Sequence, residues 1–305
     1  METTLRTVPK QRVRINWWER NLRYVLIAPC VLMILGIGLF PLIYSLGVSF
    51  LRWDVQRRGR EFIFLQNYID ALGDGRMWGA LGHTFLIMVV AVVCELLLGL
   101  GLALVLVGRL PGKQVIIPLL LMPVVTAPIV VGNAWRLLWD TRFGPISDVI
   151  SRLLGYPLEI VWLANPRTVY PVILLAEIWQ WTPFMFLVLL AGLASINPEL
   201  HEAASMDGAS GWQIFYGITL PLVWPVVTLA VLFRALDLFK LFDIIFALTM
   251  GGPGTQTETI SLYVYTLGFR NFRLGYTAAM SYILLIIVSI FITLLWRRLN
   301  EQHED

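Results

Sequence analysis

Six long apolar segments constrain the fold of this 305-residue chain more than any other feature. A helix that crosses a bilayer needs about 20 mostly apolar residues. The segments that meet this requirement are Leu22–Phe50, Leu81–Val107, Val115–Trp139, Val169–Leu193, Leu222–Leu248 and Tyr276–Trp296. Only 14% of the residues are charged, whereas soluble domains carry about 25%. The sequence therefore predicts an all-α integral membrane protein whose six helices form one bundle.

The first apolar segment is interpreted as a retained spanning helix and not as a cleaved signal peptide. Its apolar run extends from Tyr24 to about Leu51, which is longer than the roughly 7–15 residues of a signal peptide's apolar region. We therefore predict an N-terminal tail at residues 1–21, a six-helix domain at 22–298 and a C-terminal tail at 299–305.

Several classes of function lack the residues that they need. The chain has two cysteines and three histidines, and these offer neither a disulfide framework nor a metal or proton-relay constellation. It also lacks the Gly-x4-Gly-Lys-Ser/Thr loop that binds nucleotide phosphates. The net charge of +3 gives no reason to expect nucleic acid as a partner. We predict no catalytic residue, no metal and no cofactor bound by this chain.

The connector between the fourth and fifth segments, residues 197–221, is predicted to form a helix–turn–helix against the membrane. Asn197 is suited to cap a short helix that ends near Met206. Ser210 and Gln213 have the spacing of a capping box for a second short helix, and a proline near the end of the connector can begin the next spanning helix. The connector contains no Lys or Arg. From composition alone it remains an ordinary connecting loop.

One pattern in this connector is specific. The connector contains the complete pattern Glu-Ala-Ala, three residues, Gly, nine residues and Ile-x-Leu-Pro. With the acidic residue before the glycine, the residues of the pattern are Glu202, Ala203, Ala204, Asp207, Gly208, Ile218, Leu220 and Pro221. It resembles the cytoplasmic signature of binding-protein-dependent ABC importer permeases. The resemblance implies that these residues couple the chain to a separate ATPase. In that family the first short helix seats in a cleft on the ATPase subunit, whose ATP-driven closure rocks the permease helices.

Further segments resemble the carbohydrate-uptake branch of the same family, which includes maltose, glycerol-phosphate and trehalose permeases. They are Ala28-Pro29, Phe40-Pro41, 233–243, 248–254 and 274–281. The resemblance implies a six-helix type I ABC importer transmembrane domain that moves a sugar or sugar derivative across the bacterial inner membrane by alternating access. It also implies a second permease subunit, an ABC ATPase dimer that holds ATP and Mg, and an extracytoplasmic solute-binding protein.

The charge distribution does not decide the orientation. With the N-terminus inside, ten Lys and Arg lie on inner segments and ten on outer segments, although cytoplasmic flanks should carry the excess. The resemblance places residues 197–221 in the cytoplasm. It therefore implies that both termini are cytoplasmic.

Seven ionisable side chains lie within the predicted spans, where each is costly and is a candidate for function. They are Glu95, Arg136, Glu177, Arg234, Asp237, Lys240 and Asp243. The last four recur every three residues with alternating sign, and two interpretations stay open. They form a salt-bridge ladder that holds the fifth helix, or some of them line the sugar path.

Five neighbouring polar and aromatic residues are further candidates for the substrate path. They are Asn133, Trp135, Trp179, Gln180 and Trp181, which could stack on a sugar ring or bind its hydroxyl groups. For the tryptophans, a position in the interface belt is the competing interpretation.

Two other classes of function remain as alternatives. An ion-gradient-driven secondary transporter would use the intramembrane carboxylates for coupling, but such transporters typically carry repeated halves, which are not found here. An intramembrane enzyme would need a nucleophile–base or metal set. The identity and charge of the solute stay undecided.

Overall fold

The computed structural model describes residues 17–55, 59–108, 110–156 and 160–301. Within these ranges almost all regular structure is α-helical. The α-helices are α1 (Trp17–Met33), α2 (Phe40–Ser49), α3 (Gln66–Leu72), α4 (Gly75–Val107), α5 (Lys113–Val125), α6 (Pro128–Leu138), α7 (Pro145–Leu154), α8 (Val169–Ala194), α9 (Pro198–Met206), α10 (Gly211–Ile214), α11 (Leu220–Phe239), α12 (Asp243–Leu248), α13 (Ile260–Tyr265) and α14 (Leu274–Glu301).

Short π-helical and β segments complete the described structure. The π-helical segments are Ile34–Leu39, Phe215–Thr219 and Thr266–Arg270. Strands β1 (Leu51–Arg52) and β2 (Glu61–Phe62) form a small antiparallel pair. Most of the two predicted tails, 1–21 and 299–305, lies outside the described residues; α1 begins at Trp17 and α14 ends at Glu301.

Among the described residues, five helices are long and apolar enough to cross a membrane. They cover 21–49, 75–107, 169–194, 211–239 and 274–298. Helices α5 and α6 add a sixth if they count as one span, but they are bent by 94° relative to each other. The six predicted segments are therefore present, and the third of them is broken.

The break in the third segment has a local cause. Thr126 and Ala127 are extended, with ψ angles of 134° and 133°, and Pro128 begins α6. Proline disfavours helical geometry in the residue before it and has no N–H to continue the preceding helix. The prediction of one helix across Val115–Trp139 is therefore wrong.

The fifth segment also differs from its prediction at both ends. Helix α11 ends at Phe239, and α12 begins at Asp243 as a separate helix. At the other end, a single helical rod runs without interruption from Gly211 to Phe239, so Pro221 does not begin a new helix. A cation just after a helix and a carboxylate in a first turn both suit the helix dipole, and Lys240 and Asp243 occupy these positions.

The bundle is built around the long helices α4 and α8. Gly99 lies so close to α8 that a Cβ there would be 2.7 Å from the Cβ of Met185 and 2.9 Å from the backbone N of Phe186. Small residues allow such close approach of helices in membranes. Helix α11 packs against both α4 and α8, and α12 packs against α6. The most apolar part of the first span has none of its residues buried within the chain.

The end of the bundle at which α4 begins is fastened by Asp74. Its side chain accepts hydrogen bonds from the hydroxyl groups of Tyr263 (2.6 Å) and Tyr276 (2.8 Å) and from the backbone N–H of Arg76 (2.9 Å). Burial opposes ionisation, but these hydrogen bonds outweigh it and hold the pKa of Asp74 below its ordinary value. Helix α4 has 33 residues and is therefore about 50 Å long, so this cluster is far from the connector 197–221.

Candidate functional site

Helix α9 forms where the sequence predicts it. The side-chain oxygen of Asn197 accepts a hydrogen bond from the backbone N–H of Glu199 at 3.1 Å, which caps the helix. After the helix, Gly208 has a φ of +83°, a conformation that glycine adopts without the Cβ strain of other residues. The N–H of Ala209 donates to the carbonyl oxygen of Ala204 at 3.0 Å and closes the turn.

The predicted capping box at Ser210 is confirmed. The backbone N–H of Ser210 donates to Oε1 of Gln213 at 2.7 Å, and the N–H of Gln213 donates back to Oγ of Ser210 at 3.4 Å. The helix that begins here continues through the π segment into α11. The second half of the connector is therefore continuous with the fifth spanning helix.

The structure distributes the eight residues of the connector pattern between surface and interior. Glu202, Ala203, Asp207, Gly208 and Pro221 are exposed, whereas Ala204, Ile218 and Leu220 are half-buried. Met206 lies beside them and is 89% exposed. Met206, together with the exposed acidic and small residues, forms part of the accessible surface of the connector. Sequence reasoning missed Met206 because exposure at a helix end cannot be read from residue type.

A second contact that the sequence did not predict joins α9 to the rod. Nε2 of His201 lies 2.9 Å from Oγ1 of Thr219, which is buried in the π segment. Both residues line a cavity of about 720 Å³ between α9, α10 and the ends of α4 and α8, and Glu202 borders the same space. This contact links α9 directly to the rod.

The intramembrane charges meet at Arg234. Its guanidinium bonds Glu95 through Nε (2.7 Å) and Nη2 (2.8 Å), Glu177 through Nη2 (2.8 Å) and Asp237 through Nη1 (2.7 Å). The side chains of Arg234 and Glu177 are 1% exposed and that of Glu95 is not exposed. Three helices, α4, α8 and α11, are held together by this one cation.

Of the two open interpretations, the salt-bridge ladder is therefore wrong beyond its first step. Arg234 does pair with Asp237, but Lys240 follows the end of α11 and Asp243 belongs to α12. No ion pair connects Lys240 to either neighbour in the part of the chain that the structure describes. The main partners of Arg234 are the two glutamates on other helices.

A cavity of about 210 Å³ borders this group of charges, the Arg234 cluster. We call this space the central cavity. Five of the candidate substrate-path residues line it, namely Glu177, Trp181, Asp237, Lys240 and Asp243. Oε2 of Glu177 is buried and has no hydrogen-bond partner among the described residues. The guanidinium of Arg234 lies 4.6 Å from the ring centre of Trp181.

The other candidates lie elsewhere. The amide of Asn133 donates to the carbonyl of Ile129 in its own helix at 2.8 Å. Trp135 and Trp179 form an edge-to-face pair with ring centres 5.9 Å apart. Gln180 is buried. None of these four residues is among those that line the central cavity.

Both helix breaks border the central cavity. Pro128, at the start of α6, and Asp243, at the start of α12, are among its lining residues. Nε2 of Gln180 donates to the carbonyl oxygen of Thr126 at 2.9 Å and satisfies a backbone group that the bend leaves free. Interrupted helices at membrane depth are tolerated where they are buried in protein or line a cavity, and in transporters they mark binding sites. No cluster of three or more metal-ligating side chains occurs among the described residues.

Comparison with known proteins gives the family. Residues 84–303 match the family described as binding-protein-dependent transport system inner membrane component. The trehalose/maltose transport system permease protein MalF of Thermococcus litoralis is 35% identical over 86% of this chain and 87% of its own length. The sulfoquinovosyl glycerol transport system permease protein SmoG of Agrobacterium fabrum is 32% identical over 97% of both chains.

A solved structure agrees on the fold. A chain of the bacterial alginate ABC transporter, in complex with an alginate pentasaccharide-bound periplasmic protein, superposes with a TM-score of 0.78 at 21% identity and covers 92% of this chain and 95% of its own. The predicted six-helix type I fold is confirmed by this match. The matched family spans the connector 197–221 and the Arg234 cluster together. The chain therefore belongs to the binding-protein-dependent ABC transporter permeases, the multi-pass inner membrane components that do not themselves hydrolyse ATP.

Proposed function

We propose that this permease moves a sugar or sugar derivative across the bacterial inner membrane by alternating access. In this proposal, a separate ABC ATPase drives transport by docking on the connector 197–221. The single observation that carries the proposal is the continuity of the rod Gly211–Phe239. The rod begins in the connector and ends at the residues that border the central cavity.

The connector has the geometry that a mechanical coupling needs. Helix α9 presents Glu202, Ala203 and Met206 at the surface, and its His201 is tied to Thr219 in the rod. The rod has 29 residues, which corresponds to about 44 Å. A force applied to α9 by an ATPase would therefore reach the Arg234 cluster through one continuous helix.

The substrate class is supported by the relatives and by the cavity. The relatives carry trehalose, maltose or sulfoquinovosyl glycerol in their names. The central cavity combines an aromatic ring, Trp181, with several carboxylates, and carboxylates accept hydrogen bonds from hydroxyl groups. We assign the substrate path to Glu177, Trp181, Asp237, Lys240 and Asp243.

The assembly and orientation follow from the same proposal. The chain would pair with a second permease subunit, bind an ABC ATPase dimer that holds ATP and Mg, and receive solute from an extracytoplasmic binding protein. The family description names dependence on a binding protein. An ATPase in the cytoplasm requires the connector to face the cytoplasm, which places both termini there.

Solute-stimulated ATP hydrolysis by the complex in proteoliposomes tests the coupling, with a matched pair of glycine substitutions. Gly208 and Gly155 both follow a helix with positive φ (+83° and +76°), and a Cβ would meet no atom within 4 Å at either position. Gly208→Ala and Gly155→Ala therefore introduce similar local strain, on the order of 1 kcal/mol. We expect Gly208→Ala to lower solute-stimulated ATP hydrolysis and Gly155→Ala to leave it close to wild type.

The alternative of a secondary transporter gives a different result. If uptake by the reconstituted complex persisted without ATP and collapsed with the proton gradient, the intramembrane carboxylates would be the coupling site and the ATPase proposal would be wrong. Equal effects of Gly208→Ala and Gly155→Ala would contradict the role of the connector.

A further inference from the structure

We propose that the central cavity selects uncharged, hydroxyl-rich solutes and excludes anionic sugar derivatives. The inference rests on the transport function proposed above, because it assigns a solute class to the same cavity. It goes beyond the relatives, whose names include both the uncharged trehalose and maltose and a sulfonated solute.

The charges around the cavity have an excess of one sign. Glu177, Asp237, Asp243 and Lys240 line the space, and Glu95 and Arg234 lie directly behind it. Four carboxylates therefore face two cations. The excess negative charge repels an anion, most strongly near the buried Glu177, where the effective dielectric constant is low.

Arg234 is not available to an anion. A guanidinium has five N–H donors, and four of those of Arg234 point to carboxylate oxygens of Glu95, Glu177 and Asp237. Its side chain is only 1% exposed. Lys240 is then the one cation among the described lining residues, and three carboxylates, Glu177, Asp237 and Asp243, line the same small space.

The unpaired carboxylate oxygen of Glu177 can accept a hydrogen bond from a bound solute. Oε2 is buried and accepts no hydrogen bond from the described residues, while Oε1 is held by Arg234. A buried polar atom without a partner is costly, and a solute hydroxyl group in the cavity would satisfy it. A sulfonate, phosphate or carboxylate group at the same position brings acceptor oxygens and a negative charge and would not donate to Oε2. The geometry therefore favours a hydroxyl group over an anionic group beside Glu177.

Equilibrium binding to the purified complex in lipid nanodiscs tests this selection. The probes are radiolabelled trehalose and, as a competitor of matched scaffold, trehalose 6-phosphate. Like charges brought together at a binding site disfavour the wrong partner, so we expect trehalose 6-phosphate to bind at least roughly tenfold more weakly than trehalose. The double variant Asp237→Asn with Asp243→Asn changes two exposed side chains. It should reduce the difference in affinity between trehalose and trehalose 6-phosphate.

Two further variants make the result specific. Glu177→Gln should weaken trehalose binding, and Asp148→Asn, which alters an exposed carboxylate on α7 away from the cavity, should change nothing. Absence of trehalose binding, or equal binding of the two probes by the wild-type complex, would overturn the charge selection. Failure of the transport proposal is recognised separately, by a Gly208→Ala complex that couples normally.

Discussion

Replacement of Arg234, the buried cation between three helices, should destabilise this permease more than replacement of an exposed arginine. Arg234 makes four hydrogen bonds of 2.7–2.8 Å to three carboxylates. Replacement with methionine keeps much of the side-chain volume. It removes every one of those bonds.

The magnitude follows from what is left behind. In Arg234→Met, Glu95 and Glu177 remain buried without a cation, with side chains 0% and 1% exposed. Breaking a buried ion pair by removing one partner costs about 3–5 kcal/mol. Asp237 adds little, because its side chain is 52% exposed and water can solvate it. We therefore expect a loss of about 3–5 kcal/mol in the free energy of unfolding.

Thermal unfolding of the purified complex, followed by tryptophan fluorescence, measures this loss. Arg136→Met is the matched control, since Arg136 is exposed and makes one hydrogen bond of 3.4 Å, to the carbonyl of Ala247. The double variant Arg234→Met with Glu95→Gln should regain part of the loss because it removes one unpaired charge. If Arg234→Met were no more destabilising than Arg136→Met, the cluster would not hold the helices together.

Three further predictions concern contacts outside this cluster. His201→Phe removes the hydrogen bond to Thr219 and should reduce solute-stimulated ATP hydrolysis several-fold without changing the yield of assembled complex; unchanged stimulation would show that α9 moves the rod by another contact. Asp74→Asn should cost about 1–3 kcal/mol at pH 7. Because the folded-state pKa of Asp74 is lowered, its contribution is present above the ordinary pKa of about 3.9 and is lost as the pH falls through the folded-state value. The difference in melting temperature between wild type and Asp74→Asn should thus shrink at pH 3, and a constant difference would refute this assignment. Gln180→Leu leaves the carbonyl of Thr126 without its donor and should destabilise the protein by about 1–3 kcal/mol, measured by the same unfolding assay; a wild-type melting temperature would mean that the bend needs no support.

Features set by neighbouring residues were predictable from the sequence. The cap at Asn197, the capping box at Ser210 and the turn at Gly208 each depend on a few consecutive residues. The apolar spans were predictable for a related reason, since bilayer thickness fixes the length of a spanning helix.

Features set by distant residues were not predictable in the same way. Glu95 and Arg234 are 139 positions apart, so no spacing rule could pair them. The ladder was wrong because α11 stops at Phe239, and the even spacing of charges across its end only imitates a helical repeat. Pro128 is visible in the sequence, but a proline alone does not predict a helix break. Pro183, for example, lies inside the continuous helix α8.

Site-specific photocrosslinking can detect docking of the ATPase on the connector. A photoreactive phenylalanine derivative would replace Met206, which is 89% exposed at the end of α9. In a separate variant it would replace Phe143, which is 88% exposed between α6 and α7. The two sites match in exposure and in apolar character. We predict a crosslink to the ATPase subunit from position 206 and none from position 143. A complex that contains the ATPase but crosslinks from position 143, or not from position 206, would contradict the assignment.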